Sequence, residues 1–309
     1  MNLRPVESDA DHEAWAAVKS AVIPGEPVTG EELRRLAKPE RLLLLAEVDA
    51  ALVGCGIASP SSFAGSTFIG PRVLPEARGR GVGALLLDAL SDHAVALERP
   101  TLVAHVDGAD DRSLRFARRF GFAEFDRQVQ QTRRLLSGED PSPPSNGLLL
   151  GELGVELVSI AQRPDLLEQA WRQVAVEAYA DIPLPEPIEV PLDEWLREEA
   201  TLAEGSFVAL RGDEVVGYAG LLRLDARLTA AEHGLTAVRR DLRRRGVATA
   251  LKRAQIAWAA ASGLQELVTW TQRVNGDMQR LNERLGYLLT SESITMRAES
   301  ARYAHSIGS

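Results

Sequence analysis

Two short stretches of this chain decide its fold: residues 78–84 read RGRGVGA, and residues 243–249 read RRRGVAT. The second stretch begins 165 residues after the first, and the same offset takes Val73 to Val238 and residues 121–122 (Gly-Phe) to 286–287 (Gly-Tyr). Three landmarks at one offset, with matching residue types, are hard to produce by chance. A repeat this long indicates a duplicated domain rather than a solenoid, whose repeats run about 20–50 residues.

The length and one biased segment support two domains. The chain has 309 residues, and a domain typically has roughly 150. Residues 138–150 read GEDPSPPSNGLLL, a Pro, Ser and Gly cluster that is typical of a linker. The sequence therefore predicts an N-terminal domain over 1–137, a linker over 138–150 and a C-terminal domain over 151–309.

The composition excludes several classes of protein. Hydrophobic residues make up 45% and charged residues 26%, the ordinary mix of a folded chain. No run of about 18 apolar residues predicts a membrane span, and the first residues are too polar for a signal peptide. The single cysteine, Cys55, excludes an intrachain disulfide and a Cys-based zinc site. We expect a cytoplasmic protein without a metal, and its net charge of −9 disfavours nucleic acid and membrane surfaces as partners.

Each half predicts the same order of elements. A strand and a helix come first, then further strands, the glycine-rich turn, a long helix, a strand, a helix and a terminal hairpin. The long helices are predicted over 82–97 and 247–262, where apolar residues such as Leu86, Leu90 and Ala94 recur at helical spacing. Both halves are therefore predicted to be mixed α/β units.

The glycine-rich turns carry the clearest chemical signal. A strand that ends in such a turn at a helix N-terminus leaves backbone N–H groups unpaired, and the helix dipole adds positive potential there. Gly81 and Gly246 would let the backbone approach phosphate oxygens, and Arg78 and Arg243 could screen their charge. The turns therefore favour a pyrophosphate ligand, and the alternative is that each glycine serves only a tight turn.

These residues resemble motif A of the GCN5-related N-acetyltransferases, whose signature is Q/R-x-x-G-x-G/A. The later stretch 269–287 is also similar to bacterial members of that family. The resemblance covers nearly the whole chain as two tandem copies. It implies acetyl-CoA as the cosubstrate and, in each copy, a mixed sheet splayed between its fourth and fifth strands. The backbone near Val73 and Val238 would pair with the pantetheine arm like an added strand.

The resemblance also implies a set of CoA-binding residues. In the first copy these are Val73, Arg78, Gly79, Arg80, Gly81, Val82, Gly83 and Ala84. In the second copy these are Thr236, Val238, Arg243, Arg244, Arg245, Gly246, Val247, Ala248, Thr249, Asn275 and Asn282.

The second copy is the better candidate for catalysis. The family often takes its general base from a carboxylate on the fourth strand, and Glu232 and His233 lie at the start of that strand. The positions 165 earlier hold Thr67 and Phe68, which cannot act as bases. Adjacent strand residues face opposite sides of the sheet, so only one of the pair can point at substrate. The alternative for Glu232 is a solvated carboxylate at a strand end.

Other positions depart from the family pattern or allow a purely structural role. The Tyr that protonates the thiolate in the family is replaced by Asn282, and by Ala117 in the first copy. An amide supplies no proton. Asn275 and its counterpart Asp110 could contact the CoA arm or cap a helix. His105 is expected to be a buried histidine with satisfied hydrogen bonds.

A local cluster of arginines contrasts with the net negative charge of the chain. Its members are Arg239, Arg240, Arg243, Arg244 and Arg245. It adjoins the predicted phosphate site, so CoA phosphates, including the 3′-phosphate, are favoured over nucleic acid. Asp181, in the segment expected to cover the acceptor, is the next candidate base if Glu232 and His233 both fail.

Two functions remain open from the sequence. The first is an N-acetyltransferase that transfers acetyl from acetyl-CoA to a primary amine of a small molecule, by direct attack in a ternary complex. The second is a non-catalytic tandem module that binds CoA or acyl-CoA as a sensor or scaffold. The chain is expected to be a monomer or a homodimer.

Overall fold

The computed structural model describes residues 1–99, 101–135, 147–188 and 190–300. Of the predicted linker, residues 138–146 lie outside the described residues, and Gly147 begins a short helix. The chain divides into two compact units, one of residues 1–127 with 293–309 and one of residues 128–292. The domain limits inferred from sequence stay a prediction.

The strands, in chain order, are β1 (Asn2–Pro5), β2 (Leu42–Val48), β3 (Ala51–Pro60), β4 (Ser66–Ile69), β5 (Arg72–Val73), β6 (Thr101–Asp107), β7 (Ala123–Arg134), β8 (Glu156–Ser159), β9 (Phe207–Arg211), β10 (Glu214–Arg223), β11 (Ala230–Val238), β12 (Glu266–Gln272) and β13 (Leu288–Glu299). The helices are α1 (Asp9–Val22), α2 (Gly30–Arg35), α3 (Val82–Ala96), α4 (Asp111–Arg119), α5 (Gly147–Glu152), α6 (Leu166–Ala170), α7 (Val176–Asp181), α8 (Leu192–Glu198), α9 (Val247–Ala261) and α10 (Gly276–Arg284). A π-helical turn, Trp171–Ala175, joins α6 to α7.

Each unit contains one mixed sheet with the same strand order. The first unit pairs β1-β2-β3-β4-β6 and then residues 293–299 of β13. The second pairs β8-β9-β10-β11-β12 and then residues 128–134 of β7. All neighbours are antiparallel except β4 with β6 and β11 with β12, which are parallel. The predicted mixed α/β class is confirmed.

The predicted terminal hairpins are wrong. β7 and β13 are single strands of 12 residues each. Neither stretch contains a Gly, Pro or Asn that could form a tight hairpin turn, so the chain continues in an extended form.

Each sheet opens between its fourth and fifth strands. In the second unit β11 pairs with β12 only over residues 230–232, although β11 continues to Val238. In the first unit β4 pairs with β6 only over 66–68, and β5 then pairs with β3 instead. The splay implied by the family resemblance is therefore present in both units.

Helices pack on both faces of each sheet. The predicted buried positions Leu86, Leu90 and Ala94 of α3 lie in the core of the first unit. In the second unit α9 covers one face of the sheet, and α6 to α8 cover the other with Trp195 as their largest buried side chain. Helices of the described ranges all fall short of the length and apolar character that a membrane crossing requires.

The backbone at one turn residue generates a stability prediction. Arg244 has a φ of 64°, in the left-handed region, whereas the equivalent residue of the first unit is Gly79 with a φ of 82°. A Cβ in that region costs about 1–2 kcal/mol. Arg244→Gly should therefore raise the free energy of unfolding in urea by up to about 1 kcal/mol, since the exposed Arg244–Asp277 ion pair contributes little.

The neighbouring residue is the matched control. Arg245 is not among the non-glycine residues with positive φ. Arg245→Gly should therefore lower the free energy of unfolding by about 0.4–1 kcal/mol, because glycine adds entropy to the unfolded chain without relieving strain. A loss of stability of equal size in both variants would contradict strain at Arg244.

Candidate active site

The two glycine turns have matching geometry. Gly81 and Gly246 are the N-caps of α3 and α9, both in the left-handed conformation and both without a side-chain cap. The first-turn amides have no intrahelical carbonyl to bind; they belong to Val82, Gly83 and Ala84 in the first unit and to Val247, Ala248 and Thr249 in the second. Each helix therefore presents a row of free backbone donors at its positive end.

The arginine that opens each motif holds the turn against the strand. Arg243 Nε donates to the carbonyl of Val238 at 2.8 Å, and Arg78 Nε donates to that of Val73 at 2.9 Å. One edge of each guanidinium is thus engaged with backbone. The predicted phosphate screening would fall to the other N–H groups, which in Arg243 also contact Asp181 and Glu177.

Most arginines near the second turn are already paired with carboxylates. Arg240 and Arg243 both contact Asp181, at 2.5 Å and 2.6 Å, and also Glu177. These two cations lower the pKa of Asp181 to about 2, which makes it a poor base. Arg239 pairs with Asp241 and Glu214, and Arg244 pairs with Asp277. Arg245 and, in the first unit, Arg80 are exposed.

Three polar side chains of the second unit have buried oxygens that are not satisfied by the described part of the protein. Thr236 on β11, Thr271 on β12 and Asn282 on α10 each have a buried side-chain oxygen without a hydrogen-bond partner among the described residues. Unpaired buried polar atoms carry a cost in stability. Asn282 is itself fully buried, and its nitrogen donates to Gln131 Oε1 at 2.9 Å.

The capping alternative holds for one predicted pair. Asn275 Oδ1 accepts from the Met278 amide at the N-terminus of α10, and Asp110 accepts from the Ser113 amide at the N-terminus of α4. A role of Asn275 toward CoA stays a prediction.

Glu232 and His233 face opposite sides of the sheet, as strand geometry requires. His233 is buried under α9, where Nδ1 contacts Gln255 Oε1 at 2.9 Å and Nε2 contacts the Tyr287 hydroxyl at 2.5 Å. Burial holds the pKa of His233 well below its ordinary value, so the ring stays neutral. Both of its nitrogens are engaged, which leaves no free lone pair for an acceptor amine. Glu232 is partly exposed and lies across from Leu222 of β10.

A second carboxylate on the face of Glu232 was missed from the sequence. Glu199 caps the C-terminus of α8, and its Oε1 accepts from the Leu235 amide at 3.0 Å and from the Tyr218 hydroxyl at 3.4 Å. Burial, with a smaller contribution from the charge of Glu232, raises the pKa of Glu199 to about 7. No basic side chain among the described residues pairs with it. The sequence signal that could have revealed it is the presence of Gly220 and Gly234 inside two neighbouring strands.

Glycines on two neighbouring strands make room for this carboxylate. A Cβ at Gly220 of β10 or at Gly234 of β11 would collide with the Glu199 carboxyl group. Glycine inside a strand often marks a close approach of this kind. An aromatic wall formed by Tyr179, Trp195 and Tyr218 lines the same side, with ring centroids 6.3 Å and 4.9 Å apart in turn.

The equivalent face of the first unit has different chemistry. Phe68 lies there and stacks on His105 at 5.3 Å, whereas the adjacent Thr67 is buried on the opposite face. The prediction that His105 is buried is wrong, because the residue lies beyond Val103, the last residue of β6 that pairs with β4, and is exposed; its Nδ1 contacts Thr295 Oγ1 at 3.2 Å. Arg72, at the position of Ala237, donates to the Gly70 carbonyl and lies over Trp15. The first unit thus has a guanidinium where the second has a carboxylate.

The sequence profile of the Acetyltransferase (GNAT) family matches residues 11–122 and 167–287. The chain belongs to this family. The two matches make it a tandem, two-domain GNAT protein, as the resemblance of the motifs predicts. No curated protein sequence matches it.

Solved structures support the same fold over the whole length. A GCN5-related N-acetyltransferase from Sphaerobacter thermophilus is 19% identical, with 97% of this chain and 95% of that chain covered and a TM-score of 0.75. A tandem GNAT protein from the clavulanic acid biosynthesis pathway is 19% identical, with 97% and 98% covered and a TM-score of 0.71. A glucosamine N-acetyltransferase region of a fungal multi-domain β-N-acetylglucosaminidase is 15% identical, with 96% of this chain and 38% of that chain covered and a TM-score of 0.69. At these identities the likeness is one of fold.

The ion pairs of this GNAT protein generate a prediction about CoA affinity. Asp181 neutralises Arg240 and Arg243 beside the second glycine turn. Asp181→Asn should remove one of the two carboxylates that Arg240 and Arg243 contact, Glu177 being the other, and should tighten CoA binding about two- to fivefold in calorimetry, the range that exposed ion pairs allow.

The matched control is Asp241→Asn, which removes a carboxylate from Arg239 and Arg211 in the same region and should leave CoA affinity unchanged. Weaker CoA binding by Asp181→Asn, or equal tightening by both variants, would contradict competition between Asp181 and the phosphates.

Proposed function

We propose that the second unit transfers an acetyl group from acetyl-CoA to the primary amine of a small molecule, by direct attack in a ternary complex. The observation that carries this proposal is Glu199, a half-buried carboxylate without a cationic partner whose pKa is raised to about 7. A general base works best when its pKa lies near the working pH.

The residues present fit the cosubstrate. Backbone donors of Gly246, Val247, Ala248 and Thr249 would hold the pyrophosphate. The open edge of β11 at Thr236 and Val238 would pair with the pantetheine arm. Acetyl-CoA supplies the acetyl group as a thioester, which an uncharged amine attacks. Gly79 to Ala84 would hold a second CoA in the first unit.

In this scheme Glu199 is the general base that removes a proton from the substrate ammonium group. A free alkylammonium has a pKa near 10 and is no nucleophile at neutral pH. The Glu199 carboxylate would take that proton, and Glu232 on the same face would attract the incoming cation. We favour Glu199 with Glu232 over His233, because the imidazole is buried on the opposite face with both nitrogens bound.

No general acid is required in this scheme. Asn282 stands where the family has a Tyr, and an amide cannot protonate a leaving group. A thiol pKa near 8.5 makes the thiolate a fair leaving group by itself. The same observation favours the second candidate function, a tandem CoA-binding module without turnover.

The two turns provide a matched pair of variants. Gly246→Val should place a branched side chain at a left-handed backbone position where phosphate must approach. Loss of two charge-assisted hydrogen bonds costs about 3–6 kcal/mol, so turnover at low acetyl-CoA should fall a hundredfold or more. Gly81→Val should remove a second CoA site from calorimetry and leave turnover largely intact.

Amine-dependent CoA release across a panel of small primary amines is the assay for both variants. Equal loss of turnover in both, with unchanged folding, would contradict the assignment of catalysis to the second unit. CoA binding without any amine-dependent release in the wild type would favour the binding module instead.

The pH dependence follows from Glu199. Glu199→Gln should lower kcat/KM by about 10²–10⁴-fold at neutral pH, as general-base removal typically does. In the wild type, kcat/KM should fall below pH 7 as Glu199 takes up a proton. Gly234→Ala should give a similar loss by displacing the carboxylate, with the fold intact.

A stability measurement checks the same group without turnover. The folded chain holds the Glu199 proton more tightly than the unfolded chain, so this stabilisation is present at low pH and is lost as pH rises from 4.5 towards 7. The stability of Glu199→Gln relative to the wild type should therefore improve between pH 5 and pH 8. A constant difference would show that Glu199 has an ordinary pKa.

A further inference from the structure

A buried chain of hydrogen bonds runs beneath the sheet on the side opposite Glu199. Tyr287, His233 and Gln255 are all buried there. The Tyr287 hydroxyl contacts His233 Nε2, His233 Nδ1 contacts Gln255 Oε1, and Gln255 Nε2 donates to the Gly220 carbonyl at 2.8 Å. The chain thus ends on the backbone of β10, at the same glycine whose other face meets Glu199.

For a neutral His233 ring, the Gln255 side chain sets the direction of the bonds in this chain. The Gln255 amide nitrogen donates to a carbonyl, so its oxygen faces His233 and accepts. His233 therefore carries its proton on Nδ1, and its Nε2 accepts from the Tyr287 hydroxyl. Burial lowers the pKa of His233 and keeps the ring neutral, with Nδ1 as the donor and Nε2 as the acceptor. Each member fixes the orientation of the next.

Gly220 lies at an irregular step in the pairing of β10 with β11. Ala219 pairs with Thr236, but Leu221 pairs with His233, so Gly234 and Leu235 lie opposite a single residue. A step of this kind leaves backbone groups without ladder partners. Side chains satisfy two of them: Gln255 binds the Gly220 carbonyl, and Glu199 accepts from the Leu235 amide.

We propose that Gln255 is a positioning residue that, held by His233 and Tyr287, maintains this irregular step so that the Leu235 amide reaches the Glu199 carboxylate. The proposal rests on the proposed function, in which Glu199 is the base. Gln255 touches neither substrate in this scheme; it acts through the backbone at Gly220. His233 is thereby a structural member of the site rather than a base.

Ionisable side chains lie on both faces of the second sheet near the irregular step. Tyr218, Tyr179 and Glu232 surround Glu199. On the other face, the Lys252 amine lies over the Tyr287 ring at 5.4 Å, and burial lowers its pKa to about 7. Lys252 could therefore titrate in the same range as Glu199. Lys252→Met has a side chain of similar length and removes this group. If the fall of kcat/KM at acidic pH persists in Lys252→Met, the lysine does not cause it.

The test compares Gln255→Met with Gln173→Met in the full chain. Gln173 also binds β10, through the Val215 amide at 2.7 Å, but far from the irregular step. Two quantities are measured: hydrogen exchange of the Leu235 amide, and kcat/KM for the amine against pH. Tyr287→Phe, which removes only one hydroxyl from the chain, is the milder variant if Gln255→Met does not fold.

In Gln255→Met, hydrogen exchange of the Leu235 amide should quicken. The kcat should fall roughly ten- to hundredfold, because a small displacement of a reacting group has that cost. The KM for acetyl-CoA should stay within about twofold. The acid limb should move to higher pH, since the lost amide hydrogen bond stabilised the charged carboxylate. Tyr287→Phe should shift it less in the same direction, and Gln173→Met should leave it in place.

Two results would overturn the proposal: an acid limb and Leu235 exchange unchanged in Gln255→Met, or equal shifts in Gln173→Met. Failure of the proposed function has a different signature. In that case no amine supports CoA release in the wild type, while Gln255→Met still quickens exchange at Leu235.

Discussion

The half-buried carboxylate of Glu199 is the constraint on which the rest of the second unit depends. It has no cationic partner among the described residues, and its two hydrogen bonds come from the Leu235 amide and the Tyr218 hydroxyl. That arrangement requires an irregular strand pairing to free the amide and two glycines to make room. A carboxylate held this way favours its neutral form, so it can exchange a proton near neutral pH.

The two units share one fold but differ in the side chains on one face of the sheet. Both have the splayed sheet, the left-handed glycine at the helix N-terminus and the arginine that binds the strand carbonyl. They differ on the face where an acceptor would bind, because the first unit has Phe68 and the guanidinium of Arg72 there. A cationic amine would be repelled by Arg72. In the function proposed above, the first unit would hold CoA and the second would use it.

The sequence predicts the parts of this structure that are local. The repeat, the two glycine turns, the helices that follow them and the mixed sheet depend on short patterns, and all are present. The terminal hairpins were wrong because a tight hairpin turn favours Gly, Pro or Asn, and neither stretch has one. Glu199 was missed because its role depends on glycines 21 and 35 residues away in the chain. Likewise, strand alternation alone did not reveal that His233 is the neighbour that faces α9.

The most direct test of this account is the ionisation of Glu199 in the intact protein. Carbon-13 labelling of glutamate side chains allows each carboxyl group to be titrated by NMR, and the spectrum of Glu199→Gln assigns the resonance. The account predicts a midpoint near pH 7 for this group, as burial without a counter-ion requires. A midpoint near 4.5, the ordinary value for glutamate, would contradict it, because Glu199 would then be a solvated carboxylate with no special capacity to act as a base.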